Sequence, residues 1–254
     1  LVKEYTVIIQ RAALLEGDYK RLELAIPENL NGLKPGQALL VRPKQMRVSK
    51  VWDPYLRQVW YPTNQSNTKA IVEIHSRDHY APGDVLDVVG PIGQPFAIRQ
   101  VLRNVLLLAY DTPPFPLLMM IPWLLGNNVS VTLVLLGKAA DYPTQHLPPE
   151  VEVVRSDDAP DPLTWPNQVT TIGWADQVFA VVPPGDDLTN FARIYDLFNE
   201  RRAELARNYL FGVFQGVLPC GVGACDVCLV PTKNGLKYAC TDGPAFDLTD
   251  VRFR

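Results

Sequence analysis

The stretch VLLLAYDTPPFPLLMMIPWLLGNNVSVTLVLLG (105–137) decides the fold, and across it the single charge is Asp111. Its two uninterrupted apolar runs, VLLLA (105–109) and VSVTLVLL (129–136), read as strands covered on both faces, as parallel strands are. Between them lies an apolar, helix-like segment at 115–125, closed by Gly126-Asn127-Asn128. Pro113, Pro114, Pro116 and Pro122 cut the stretch well short of the ~20 apolar residues a spanning helix needs, so the protein is not expected to cross a membrane. Downstream, β-like runs at 151–154 and 178–182 precede a helical pattern over 188–205. That pattern sets Leu188, Phe191, Tyr195 and Phe198 on one face behind an acidic start that suits the helix dipole. Strands alternating with helices predict βαβ units around a parallel sheet.

Upstream the pattern is different. Residues 5–10, 19–26, 37–42, 70–75 and 84–89 read as five short strands with Gly and Pro turns between them, the layout of a small antiparallel barrel. Residues 43–68, rich in Pro, Asn and Gln, read as an irregular loop. The expected architecture is therefore α/β plus β in three parts: a barrel over 1–100, a Rossmann-like parallel α/β domain over 101–205, and a small C-terminal domain over 206–254.

Composition supports this layout. The 254 residues include 23 prolines, about 9% against a typical ~5%, which favours β and α/β structure over a helical bundle. Net charge is −3, but it is unevenly spread: residues 1–104 carry +4, 105–205 carry −8 and 206–254 carry +1. No Lys/Arg stripe with interleaved aromatics is present, so no nucleic-acid partner is expected. The sequence shows no signal-peptide pattern, and a cytoplasmic location is expected.

All four cysteines fall between 220 and 240, spaced Cys220-x4-Cys225-x2-Cys228-x11-Cys240. In a reducing compartment such crowding favours metal binding over disulfides. The C-x4-C-x2-C run with a distant fourth cysteine is the plant-type [2Fe–2S] arrangement. A loop around an anionic cluster must aim several N–H groups at the sulfurs, and Gly221 and Gly223 permit the backbone that does so. A four-cysteine zinc site is the alternative, although such sites usually pair two short C-x2–4-C units. Asp226, between two of these cysteines, either opposes addition of an electron or is simply a solvated loop charge. No acid–base or nucleophile constellation can be assembled, so no catalytic residue is expected.

CGVGACDVCLV (220–230) and KYACTDGPAFDL (237–248) resemble the C-terminal cluster domain of the electron-transfer subunits of heterodimeric dihydroorotate dehydrogenases. PGDVLDVVGPIGQPF (82–96) is similar to the end of that family's barrel. The resemblance implies a ferredoxin-reductase-like fold, with a FAD-binding-like barrel and a NAD-binding-like α/β domain ahead of the cluster. It also implies electron flow from NADH through FAD and the cluster to a partner subunit. Three motifs depart from the family pattern. RQVWYPT (57–63) stands where the flavin strand is expected, with Arg57 still able to meet FAD but Trp60 and Tyr61 adding bulk. HSRDHYAPG (75–83) has no glycine before Gly83 where the FAD pyrophosphate loop belongs. AYDTPPFPLL (109–118) replaces a glycine-rich nicotinamide turn with prolines that have no N–H to give a phosphate, and with an acidic Asp111.

The expectation is an iron–sulfur electron-transfer subunit serving a flavin- or metal-containing redox partner, with NAD(P) not bound and FAD left open. The alternatives are a complete FAD-dependent NAD(P)H oxidoreductase subunit and a non-redox accessory subunit with a structural metal. The partner is expected to dock on segment 208–214 and on Pro244-Ala245-Phe246, unless Phe246 only covers the cluster within its own chain.

Overall fold

The computed structural model of the chain describes residues 2–44, 56–156 and 162–253. Seven antiparallel strands come first: β1 (Lys3–Leu14), β2 (Tyr19–Ala25), β3 (Ala38–Pro43), β4 (Gln58–Trp60), β5 (Pro62–Ser66), β6 (Lys69–His75) and β7 (Val85–Ile92). They pair in the order β4-β3-β7-β1-β2-β6-β5. The sheet curls until β4 meets β6, which nearly closes a barrel. Alternation drives this. Tyr5, Val7 and Ile9 of β1 point inward with Leu86 and Val88 of β7, while Thr6 and Ile8 between them face out.

The second sheet holds β8 (Asn104–Tyr110), β9 (Ser130–Leu136), β10 (Glu152–Ser156), β11 (Gln177–Val181) and β12 (Leu210–Val213), all parallel in the order β10-β9-β8-β11-β12. Residues 105–109 and 131–136 are buried throughout, as parallel strands covered on both faces must be. Helices α1 (Phe115–Leu118), α2 (Met120–Gly126), α3 (Gln168–Trp174) and α4 (Asp187–Arg201) connect the strands. α4 packs through Phe191, Ile194 and Phe198, each fully buried. The strand order reverses between β8 and β11, so a crevice opens beyond their C-terminal ends, the usual ligand position in such sheets.

The C-terminal part forms a hairpin, β13 (Leu229–Thr232) and β14 (Gly235–Tyr238), and then β15 (Ala245–Asp247), which adds antiparallel to the β12 edge. Among the described residues no helix is long and apolar enough to cross a membrane.

Four sequence expectations need correction. Residues 43–68 are not wholly loop: β4 and β5 lie there, while 45–55 fall outside the described residues. β5 is an edge strand of polar residues held by backbone pairing to β6, which leaves no hydrophobic alternation to read. The apolar 115–125 segment is two short helices. Prolines in helix interiors cost a hydrogen bond, and Pro116 and Pro122 are accommodated only within the first turns of α1 and α2. The long helix stops at Arg201, short of Leu205. The C-terminal segment, expected as a separate small domain, contributes β15 to the α/β sheet edge.

A buried ion network joins the barrel to the α/β part. Glu73 on β6, 1% exposed at its side chain, accepts from Arg21 Nη2 at 2.8 Å and lies 3.3 Å from His146 Nε2. The Tyr142 hydroxyl also donates to Glu73. Burial pushes the Glu73 carboxyl up, but the His146, Tyr142 and Arg21 hydrogen bonds outweigh it and hold the group below its ordinary range.

Candidate metal centre and the adjoining cavity

The chain leaves β12 at Val213 and reaches the cysteine loop within seven residues. Beyond the loop the β13–β14 hairpin returns it, and the Ala239 N–H donates to the Cys228 carbonyl at 2.8 Å. That register brings the Cys228 and Cys240 sulfurs to 3.3 Å, both buried. Cys220 is half-buried and has Cys225, which is exposed, as its hydrogen-bonding neighbour. The thiols therefore gather as two pairs. Among the described residues no three His, Cys, Asp or Glu side chains converge on one point.

Backbone donors face the sulfurs. The N–H groups of Val222 and Ala224 lie 3.5 and 3.3 Å from Cys220 Sγ, and that of Gly223 lies 3.2 Å from Cys240 Sγ. Successive N–H groups converge this way only if the chain enters the left-handed region, which Gly221 (φ +68°) and Gly223 (φ +71°) do. Gly221 is also pressed against the barrel: a Cβ there would lie 2.7 Å from Ile92 Cδ1 and 2.9 Å from Leu40 Cδ1. Burial pushes the Cys220 thiol up, but these donors and Cys225 outweigh it and bring the thiol down to about 7. Cys240, buried beside Cys228, is pushed up to about 12. Two thiol pairs under a nest of N–H groups suit two irons sharing four cysteines, and they suit one tetrahedral zinc less well.

The loop is clamped to the barrel. Gly93 N donates to the Cys240 carbonyl at 3.0 Å, and Gln94 Nε2 donates to the Thr241 carbonyl at 2.8 Å.

The expected docking segments are not surface. Leu210–Phe214 are buried, and Phe246, 9% exposed, meets the Phe214 ring edge-on at 5.6 Å. An apolar run beside a sheet is needed as sheet core, and β15 takes Phe246 with it. The apolar side chains left exposed around the cysteines are Val217, Val222, Val227 and Leu236. Single valines between loop cysteines carry no pattern, so sequence reasoning missed them.

A cavity of about 370 Å³ lies at the crevice between the two sheets, lined by Arg57, Trp60 and Tyr61 of the barrel, Phe115 after β8, Pro184 after β11, and Gln215–Val217 just before the cysteines. Three buried side-chain polar atoms among the described residues have no hydrogen-bond partner, and two of them, Arg57 Nε and the Tyr61 hydroxyl, belong to this wall. Unpaired buried polar atoms are rare in folded proteins and call for a partner. Burial also pushes the Tyr61 hydroxyl far up. The other end of the Arg57 guanidinium is engaged, with Nη2 2.7 Å from Glu4.

A flat ring with polar edges, such as the flavin ring of FAD, fits this wall. A dinucleotide's phosphates find much less. α1 has four residues and opens on Pro114, and the Asp111 carboxylate is drawn across the turn to the Lys138 N–H at 3.0 Å. In the first turn Pro116 has no N–H and that of Leu117 goes to the Pro114 carbonyl, so helix donors for phosphate are few where the nicotinamide nucleotide would bind.

The iron–sulfur cluster binding domain of dihydroorotate dehydrogenase B matches residues 216–252, the span that carries the two thiol pairs. The electron transfer subunit of dihydroorotate dehydrogenase B (NAD(+)) from Clostridium perfringens is 25% identical over 173 residues, 67% of this chain and 68% of that protein. The corresponding subunit from Shouchella clausii is 29% identical over 177 residues, 66% of each. The chain is a relative of the dihydroorotate dehydrogenase B electron transfer subunits. Each match spans about two thirds of the relative's length. The fold is that of ferredoxin reductases: the structure of NADH-dependent reduced ferredoxin–NADP oxidoreductase superposes with a TM-score of 0.71 at 17% identity, covering 97% of this chain and 89% of that one.

Proposed function

We propose that the chain is the electron-transfer subunit of a redox complex, passing single electrons through a [2Fe–2S] cluster to or from a flavin- or metal-containing partner in the cytoplasm. The observation that carries this is the gathering of Cys220, Cys225, Cys228 and Cys240 as two thiol pairs beneath backbone N–H donors. In this reading the Cys220–Cys225 pair would hold one iron and the Cys228–Cys240 pair the other. Gly221 and Gly223 shape the cradle behind a barrel (1–100); the expected boundary at 205/206 moves, because β12 and β15 belong to the α/β sheet and the cluster segment proper begins near Gly216. The bound cluster would supply a one-electron couple. The chain's own part is to exclude water from the Cys228–Cys240 side, to stabilise thiolate charge with N–H donors, and to leave Cys225 at the surface. An exposed ligand with exposed Val222 and Val227 two or three residues away in the chain supports docking of the partner there, since exposed apolar patches mark interaction sites.

The spectrum of anaerobically purified protein tests this reading. Broad red-brown iron–sulfur bands are expected, and a colourless protein containing zinc would select the accessory reading instead.

The second reading, a flavin-bearing NAD(P)H oxidoreductase subunit, draws on the orphaned Arg57 Nε and Tyr61 hydroxyl at the cavity wall. Flavin bands superimposed on the cluster spectrum would support its FAD half. Its nicotinamide half is opposed by the proline-rich, acidic turn after β8. Calorimetry with NADH and NADPH is expected to show no binding in the micromolar range, and stoichiometric heats would overturn that expectation.

A further inference from the structure

Asp226 occupies the left-handed region (φ +55°) between Cys225 and Cys228, where Asn, Asp and Gly are the residues that sit without large strain. Backbone demand alone would be met by any of the three. Its carboxylate, however, is held: Oδ1 accepts the Tyr238 hydroxyl at 2.8 Å. Tyr238 is held in turn, because its N–H donates to Asp242 Oδ2 at 2.8 Å and its strand leads directly into Cys240. A side chain on the loop bearing three of the cysteines is thus tied to the strand that leads into the fourth. An exposed carboxylate would otherwise sample open solvent.

We infer that Asp226, anchored by Tyr238, is a positioning charge that keeps the reduction potential of the cluster low. The inference rests on the [2Fe–2S] reading above. Adding an electron to an already anionic cluster costs more with a fixed negative charge nearby, so the oxidised form is favoured. Because the carboxylate is at the surface, salt should weaken its effect over a Debye length of about 8 Å at physiological ionic strength.

The test is a redox titration of the intact protein followed by electron paramagnetic resonance. Asp226→Asn keeps the backbone preference and an oxygen to accept from Tyr238, and removes only the charge. Its potential is expected to rise by at least a twofold change in the equilibrium constant, about 18 mV for one electron. The gap from the wild-type protein should narrow as salt is added. Tyr238→Phe frees the carboxylate and should give part of the same rise. An Asp226→Asn protein with the wild-type spectrum and the wild-type potential would overturn the proposal. A wild-type potential in Tyr238→Phe would overturn the anchoring. A protein with no cluster signal in any form would overturn the [2Fe–2S] reading itself, and this proposal with it.

Discussion

Cys240→Ala protein is expected to emerge from anaerobic purification with almost no iron or acid-labile sulfide. The chain contains four cysteines in all, so none is spare to replace a lost ligand. Cys240 is the most buried of them, 2% exposed, and its sulfur faces both Cys228 and the Gly223 N–H. Removing it would leave one iron with a single cysteine ligand. A circular dichroism spectrum like that of wild type would show that the loss is of metal and not of fold. Full iron and sulfide content in this variant would refute the ligand set.

The second large effect concerns stability. Glu73→Ala should destabilise the folded chain by about 3 kcal/mol, the lower end of the range for breaking a buried ion pair, because Arg21 keeps some contact with water. The Tyr142 hydroxyl loses its carboxylate acceptor and keeps only His146 Nε2 at 3.1 Å, and Arg21 and His146 lose their shared anion. At ~2–4 °C per kcal/mol for a chain of this size, the melting temperature should fall by about 6–12 °C. The pH dependence has a definite sign. The folded carboxyl ionises below its ordinary value of 4.5, so its contribution is fully present above that pH and is lost as pH falls through the lowered folded value. Urea unfolding at neutral pH and again below pH 4 measures both effects. Equal midpoints for wild type and Glu73→Ala at neutral pH would show that the network contributes nothing.

The parallel sheet was legible because burial on both faces leaves an unmistakable mark, as in 105–109 and 129–136. The barrel strands with regular alternation were legible for a related reason. β5 was not, since Pro62-Thr63-Asn64-Gln65-Ser66 pairs through its backbone and shows no apolar side to read. The cysteine spacing pointed to a metal site, because ligand spacing is written in the chain. Its surroundings were not visible: pairing of Cys228 with Cys240 depends on the register of a hairpin that the sequence did not announce. Segments 208–214 and 244–246 misled because apolar content signals burial and docking equally. Only the β12–β15 pairing decides between them. The orphaned Tyr61 hydroxyl and the Glu73 network are products of tertiary approach between residues tens of positions apart.

The clamp between the barrel and the cysteine loop bears on how the protein is made. Gln94 and Thr241 are 147 residues apart in the chain, and Gly221 rests on Ile92 and Leu40. Contacts of such span form late, after the ordering cost of the intervening chain has been met. The cradle is therefore complete only once the barrel and the cysteine loop have met. The last fifty residues are consequently no portable ferredoxin: cut free, they would lack the wall that Ile92 and Gly93 provide.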